Sequence, residues 1–564
     1  MVDAMRELEN WIEHVEDPEL AAELAELKAS GDAAAVEDAF FRDLSFGTAG
    51  LRGVIGAGSN RMNVYTVARA TQGFADYLNA TFEGPSVAIA RDSRNKGEEF
   101  VRTAARVLAA NGVRVHVYPR ISPVPTLSWA VRDLGLSGGI CMTASHNPAA
   151  YNGYKVYGPD GCQITSEAAS AISDAIARVG MFGGARLVGF DDAVARGLVS
   201  WIPDEVLDRY VDAVLGQSVS ALGPDERRAA ALKVVYTPLN GTGMQVVPRV
   251  LSRGGIGDVA VVPEQAEPDG DFPTCPYPNP EIREAMEAGI SLAGRLGADL
   301  LLATDPDADR VGVAVRDGGG YALLTGNEVG LLLLDYVCRS RRARGEDLSR
   351  MVAATTIVSS PMVDCLAREH GFELRRFLTG FKYIGELIGS LEAAGEEDRF
   401  LFGFEESYGY LAGTYVRDKD AVVASLLICQ LAQELKLRGM SLADAMRELY
   451  GRYGHYRSKT TSLSYPGADG AARMAEIMAG LRERQPREVA GRAVESFTDY
   501  AAGGTGLPAA DVLSLGLAGG EGVAVRPSGT EPKIKVYLFA KGGTAQEAEA
   551  EVSSLEAAMR EMLQ

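Results

Sequence analysis

Positive charge is scarce in this chain. Its 564 residues carry 56 Lys and Arg against 76 Asp and Glu, a formal net charge of −20. So acidic a body argues against nucleic acid and anionic membrane as partners, since both bind through clustered cations. Paired cysteines are missing too. Cys141, Cys162, Cys275, Cys338, Cys365 and Cys429 are scattered with no CxxC, and several lie in apolar runs where a reduced, buried thiol is the ordinary state. That points to the cytoplasm. No run approaches 18 uncharged apolar residues, which speaks against a membrane-spanning helix. The first twenty residues are acidic and amphipathic, without the basic-then-apolar order of a signal peptide. His116, His370 and His455 have no metal-like spacing and read as structural. No tandem short repeat or low-complexity tail is visible.

What remains is ordinary in bulk, with 46% hydrophobic and 23% charged residues. At about 150 residues per domain the length predicts three to four domains. Residues 1–39 read as two amphipathic helices, followed by a Gly-rich loop, Phe41 to Gly53, carrying Arg42 and Arg52. A strand-and-helix alternation then predicts a mostly parallel sheet, with strands at 86–90, 113–118 and 138–143. A second block has strands at 232–236, 258–262 and 299–303, and a Pro- and Asp-rich stretch, 263–280, that reads as a long surface loop. A third block opens with a long apolar helix near Thr325 and has strands at 352–358 and 399–404. The chain after Gly451 changes character, with alternating segments, Gly-rich turns and a final helix over 544–563. The first three blocks share a strand-then-polar-loop grammar that could reflect one repeated unit.

The chemistry sits at the strand ends, where open α/β sheets place it. Thr143-Ala-Ser-His-Asn-Pro148 follows an apolar strand, and Pro148 disfavours α geometry at Asn147, so Ser145 and His146 are expected on a strained turn. With Lys155 they offer a nucleophile and two proton-transfer groups; the plainer reading is a polar turn capping a following helix. Asp305, Asp307 and Asp309, at alternate positions after another strand, would lie on one side of an extended segment. Three such carboxylates repel one another without a cation, and oxygen-only ligands suit Mg²⁺. Arg310 beside them adds a bidentate phosphate contact. Arg526-Pro-Ser-Gly-Thr530 combines a guanidinium, two hydroxyls and backbone donors, as a phosphate cradle requires. Glu405 and Ser407 suit sugar hydroxyls but alone are weak. Arg91 and Arg94 are ambiguous, since surface arginines are common. Groups spread over four blocks imply a cleft between domains. An acidic body repels a phosphate ester, so such a site needs these local cations.

TASHNP with Lys155, DPDADR, GFEESYGY and RPSGTEPKIKVY, with GTAGLRG upstream, resemble in order the α-D-phosphohexomutases; adding TGFKYIGEL, the likeness is greatest to the phosphoglucomutase/phosphopentomutase-like branch. The resemblance covers nearly the whole chain. It implies four domains around a central cleft, three related mixed α/β sheet domains (1–215, 216–324 and 325–450) and a C-terminal TATA-binding-protein-like α+β domain (451–564). It further implies that Ser145 is held as phosphoserine, that Asp305, Asp307 and Asp309 bind one Mg²⁺ with the Ser145 phosphate, and that Lys155 and His146 move protons. Arg52 and Arg310 would clamp phosphate, Glu405 and Ser407 read sugar hydroxyls, Thr379 and Gly380 sense sugar orientation, and Lys419 contact substrate. Arg526, Ser528, Gly529 and Thr530 would form the distal phosphate site. Pro306 replaces a Gly common among relatives, which stiffens the loop without removing a ligand. The implied reaction interconverts α-D-glucose 1-phosphate and glucose 6-phosphate through glucose 1,6-bisphosphate, which would also be the activator; mannose or pentose phosphates are alternatives on the same scaffold. To act as a base, Lys155 would need its pKa lowered, and Mg²⁺, Arg52 and Arg310 are expected to push it that way. Oligomeric state is left open.

Overall fold

Four sheets follow one another along the chain in a computed structural model that describes residues 3–48, 50–465, 470–528 and 533–564. The first has the strand order Leu51–Val54, Tyr151–Tyr157, Gly138–Met142, Ser86–Arg91, Arg114–Val117, Val199–Trp201. Its last four strands are parallel, while Tyr151–Tyr157 runs antiparallel to both neighbours. The sheet is therefore mixed. Val87 and Ile89 face one helical layer and Ala88 and Ala90 the other, the period-two alternation of a strand covered on both sides. The second sheet, Gly320–Leu324, Val311–Asp317, Leu300–Thr304, Lys233–Thr237, Asp258–Val261, is parallel over its last three strands and antiparallel over its first two. The third, Glu373–Phe377, Val352–Thr356, Phe400–Glu405, Gly409–Leu411, repeats that arrangement with one antiparallel strand. Helix Ala421–Leu437 is buried nearly all round and joins the second and third sheets in one continuous core.

The fourth sheet is antiparallel throughout, His455–Ser464, Lys533–Gly542, Glu521–Pro527, Leu513–Leu517, Arg492–Asp499, Glu488–Val489. Val523, Val525, Val536 and Leu538 face two helices, Gly470–Arg484 and Ala545–Met562. The intervening Ala524, Tyr537 and Phe539 face the other way and pack on Val358 beyond the third sheet. Arg526 shares their face by alternation.

Three expectations need correction. The N-terminal segment forms three helices, Ala4–His14, Pro18–Ser30 and Ala33–Phe40, because Asp17-Pro18 and Gly31-Asp32 each end one helix and cap the next. The Gly-rich loop ends in a strand, Leu51–Val54, since Tyr151–Tyr157 supplies the partner that a lone glycine-rich segment lacks. The stretch 263–280 is not simply surface: it starts as a short helix, Pro263–Ala266, and buries Gln265, Phe272 and Cys275.

Candidate active site

Each of the first three sheets uses the same device. A buried strand runs out into a polar turn, and the chain returns antiparallel beside it: Gly138–Met142 to Tyr151–Tyr157, Leu300–Thr304 to Val311–Asp317, Phe400–Glu405 to Gly409–Leu411. Every turn holds one non-glycine residue in left-handed backbone, Ser145 at φ 52°, Ala308 at 51° and Tyr408 at 67°. That conformation costs an L-residue roughly 1–2 kcal/mol, so each turn needs outside support.

In the serine turn, Ser145 Oγ donates to Asp305 Oδ2 at 2.8 Å and lies 3.2 Å from His146 Nδ1. A strand follows, so a helix-capping role is excluded. Thr143 Oγ1 receives the Ser145 N–H at 2.9 Å, and its single hydroxyl proton is within reach of both Asp92 at 2.6 Å and Asp307 at 3.1 Å. Burial, with Arg310 and Arg52 nearby, pushes the His146 imidazole well below its ordinary pKa, so it is neutral at pH 7. Lys155 Nζ reaches Asp307 at 2.8 Å and Asp309 at 3.5 Å. Here the expected lowering is reversed. Burial alone would lower the Lys155 pKa, but Asp307 and Asp309 outweigh it and raise it, so the protein's own groups hold the amine charged.

The acidic turn gathers its carboxylates by folding, not by extended alternation: one oxygen from each of Asp305, Asp307 and Asp309 lies within 4.8 Å of the others, and all three residues are buried. Asp305 Oδ1 accepts from the N–H groups of Asp309 and Arg310 at 3.1 and 3.0 Å, which closes the turn on itself. Burial and the charges of Asp307 and Asp309 push Asp305 well above the ordinary carboxylate range. Burial would do the same to Asp309, but Lys419, Lys155 and Arg310 hold it below that range. Asp307 Oδ1 and Asp309 Oδ1 are buried without hydrogen-bond partners. Orphaned, mutually repelling oxygens of this kind fit a hard divalent cation.

Lys419 Nζ bonds Asp309 at 3.2 Å and Asp418 at 2.8 Å and lies over the Phe381 ring. Glu405 is buried at the end of its strand and accepts the Gly380 N–H at 2.9 Å, while Ser407 sits half-buried in the turn beyond. Arg526 donates to Thr379 Oγ1, joining the fourth sheet to the third. Arg52, exposed on its strand, donates to Asn147 Oδ1 at 3.4 Å. Ser528 donates its N–H to the Lys533 carbonyl at 2.8 Å. Gly529 and Thr530 lie outside the described residues. The two lysines, three aspartates and Ser145 thus meet at one point, with Glu405, Gly380, Thr379 and Arg526 forming a second group.

Comparison with known proteins decides the kinship. The phosphoglucomutase/phosphomannomutase alpha/beta/alpha domain I profile matches residues 43–181, domain II 208–319 and domain III 325–453. The chain is 38% identical over 507 residues to a phosphoglucomutase of Staphylococcus epidermidis, covering 88% of this chain and 90% of that one. It is 36% identical over 519 residues to a phosphoglucomutase of Staphylococcus aureus, covering 89% and 91%. The chain belongs to the phosphoglucomutase/phosphomannomutase family. Its fold agrees: a putative phosphomannomutase from Thermus thermophilus superposes with a TM-score of 0.70 at 22% identity over 93% of this chain and 99% of that one. The phosphoglucomutase pp63/parafusin from Paramecium superposes at 0.71 with 17% identity over 92% and 94%.

Two residues of this family member escaped the sequence reading. Glu281, one residue past the stretch read as surface loop, takes Arg310 Nη1 at 2.7 Å. Arg94, read as ambiguous, is 2% exposed and donates to backbone carbonyls of the serine turn. The only advance signal for either was its position at the edge of a strand or Pro-rich loop. Among the described residues no helix is long and apolar enough to cross a membrane, and all six cysteines are free, five of them buried.

Proposed function

We infer that this chain is a phosphoglucomutase that interconverts α-D-glucose 1-phosphate and glucose 6-phosphate through a phosphoserine at Ser145 and a glucose 1,6-bisphosphate intermediate. The observation that carries the reading is Ser145 Oγ, 2.8 Å from Asp305 within the cluster of three buried aspartates and Lys155. The identity to curated phosphoglucomutases over most of the chain supports the substrate. On this reading the units 1–215, 216–324, 325–450 and 451–564 each bring one loop to the cleft, and the enzyme is cytoplasmic.

Ser145 stores a phosphoryl group as a monoester, a form that hydrolyses very slowly unless catalysed. The free hydroxyl of the bound sugar phosphate attacks phosphorus, the bond to Ser145 Oγ breaks, and the hydroxyl proton leaves to the cluster's base. His146 Nδ1, 3.2 Å from Ser145 Oγ, stands where a proton can pass to and from that oxygen. Lys155, Arg52 and Arg310 supply positive charge around the transferring group. The bisphosphate turns over, and its other phosphoryl returns to Ser145. Asp305, Asp307 and Asp309 with the Ser145 oxygen would hold Mg²⁺, which neutralises phosphoryl charge when bound. Arg526 and Ser528, with Gly529 and Thr530, hold the phosphate that is not reacting, while Glu405, Ser407, Thr379, Gly380 and Lys419 accept the sugar in both orientations.

The test is the kcat/KM of the pure enzyme on glucose 1-phosphate, mannose 1-phosphate and ribose 1-phosphate, with and without glucose 1,6-bisphosphate, beside Ser145→Ala. Preference for glucose 1-phosphate, activation by the bisphosphate and loss of turnover in the variant are expected. Preference for another sugar would overturn the substrate, and more than trace turnover in the variant would overturn the phosphoserine.

A further inference from the structure

Arg94 is the most thoroughly engaged arginine near the site, and it touches no group of the reaction. It leaves strand Ser86–Arg91 and passes beneath the serine turn. Its Nη1 donates to the carbonyls of Pro148 at 2.8 Å and Tyr151 at 2.9 Å, and its Nη2 to Ser145 at 2.6 Å and to Asn147. Four carbonyls of one turn therefore converge on a single guanidinium. Asp92 faces its Nε at 3.3 Å and also receives the Thr143 hydroxyl that caps the Ser145 N–H. The ring of Phe272, from the stretch that was expected to lie on the surface, stacks on the guanidinium with its centroid 5.2 Å away. The packing is tight around this point: a Cβ on Gly270 would come within 2.8 Å of Asn95 and Ser93.

We propose that Arg94 is a positioning residue that holds Ser145 in its left-handed backbone and so sets the direction of Oγ toward Asp305. Carbonyls gathered at one point, as those of Ser145, Asn147, Pro148 and Tyr151 are, repel one another, and a planar, always-charged fork is the one side chain that can satisfy four of them. Lysine keeps the charge but not the fork. Asp92 fixes the fork and, through Thr143, ties it to Asp307, so the nucleophile and the aspartate cluster are set relative to each other by one connected set of bonds. Arg91, three residues earlier, offers the contrast. It pairs with Glu98 at 3.5 Å and is bonded to no residue of the turn.

The role rests on the phosphoserine reading, so the test has an arm that does not. Arg94→Lys, Arg94→Ala and Arg91→Ala are compared with the parent enzyme, with thermal unfolding to establish that each is folded. In the first arm, amide hydrogen exchange over residues 143–151 is followed by mass spectrometry. Exchange there should rise in both Arg94 variants and stay unchanged in Arg91→Ala, whatever the enzyme's substrate. In the second, kcat for Arg94→Lys on glucose 1-phosphate should fall about 100-fold, as a displacement on the order of 1 Å in a catalytic group does, with KM within about threefold. Added guanidinium should restore at least about tenfold of kcat to Arg94→Ala and none to Arg91→Ala, which a general loss of stability would not do. Should Arg94→Ala fail to fold, Arg94→Lys decides. A folded Arg94→Lys enzyme with kcat within threefold of the parent, or with unchanged exchange over the turn, would overturn the proposal. A parent enzyme inactive on every sugar phosphate, with the exchange result intact, would sink the mutase reading and leave the clamp standing.

Discussion

Ser145 and Ala308 adopt nearly the same backbone angle, φ 52° and 51°, on turns that follow equivalent strands. The balance of their supports differs. The acidic turn closes on its own side chain, Asp305 taking the N–H groups of Asp309 and Arg310, and Thr242 donates both its N–H and its hydroxyl to the Pro306 carbonyl at 2.9 Å. The serine turn has a single internal cap, the Thr143 hydroxyl on the Ser145 N–H, and is otherwise held from below by Arg94 through four main-chain carbonyls. A turn whose task is to present fixed ligands can use its ligands as scaffold. A turn whose side chain must exchange partners during turnover needs its scaffold elsewhere.

The largest effect expected from breaking this contrast is at its centre. Ser145→Ala should cost more than about 10⁴-fold in kcat, as removal of a nucleophile does, while the three aspartates of the acidic turn still take up Mg²⁺ or Mn²⁺ in a titration, more weakly for the lost serine oxygen. The acidic turn should fail differently. A Cβ at Gly241 would lie 2.4 Å from the Pro306 Cα, with backbone on both sides. Gly241→Ala should therefore displace the turn and weaken Mn²⁺ binding by about 10–100-fold, the range for supports one layer outside a metal site. Unaltered metal affinity in that variant would mean that the turn's self-closure alone sets the ligands and that the contact with Gly241 does not. Glu281→Gln removes the carboxylate that fixes Arg310. It should lower kcat/KM about tenfold, equal to about 1.4 kcal/mol, without altering amide exchange in the serine turn. Thr242→Ala is the mildest: one of two bonds to Pro306 remains, so unfolding stability should drop by about 1 kcal/mol, seen as a shift of a few degrees in Tm.

Much of this frame was legible in the residues and part was not, for physical reasons. Ser86–Arg91, Gly138–Met142 and Leu300–Thr304 are apolar runs, and burial on both faces leaves that signature. Tyr151–Tyr157 mixes Tyr, Asn, Gly, Lys and Val and carries no such mark, because its Lys155 serves the aspartate cluster and its Asn152 bonds the Asn95 carbonyl. The aspartates could be read because three like charges together need a reason. Arg94 could not, since a guanidinium facing water and one facing four carbonyls are written with the same letter. Glu281 was hidden likewise, just past a stretch whose prolines spoke of a loop but not of what it covers. The downward pull expected on Lys155 assumed that cations dominate its surroundings, whereas Asp307 and Asp309 are its nearest neighbours.

Because Arg94 meets the serine turn only through main-chain carbonyls, the clamp is indifferent to what side chains the turn carries. Ala149 and Ala150, half-buried and exposed at its far end, are joined to the rest by backbone alone, Ala150 offering its carbonyl to the Ile55 N–H at 2.8 Å. These two positions are where a library of variants can be written into the reactive turn without disturbing the nucleophile.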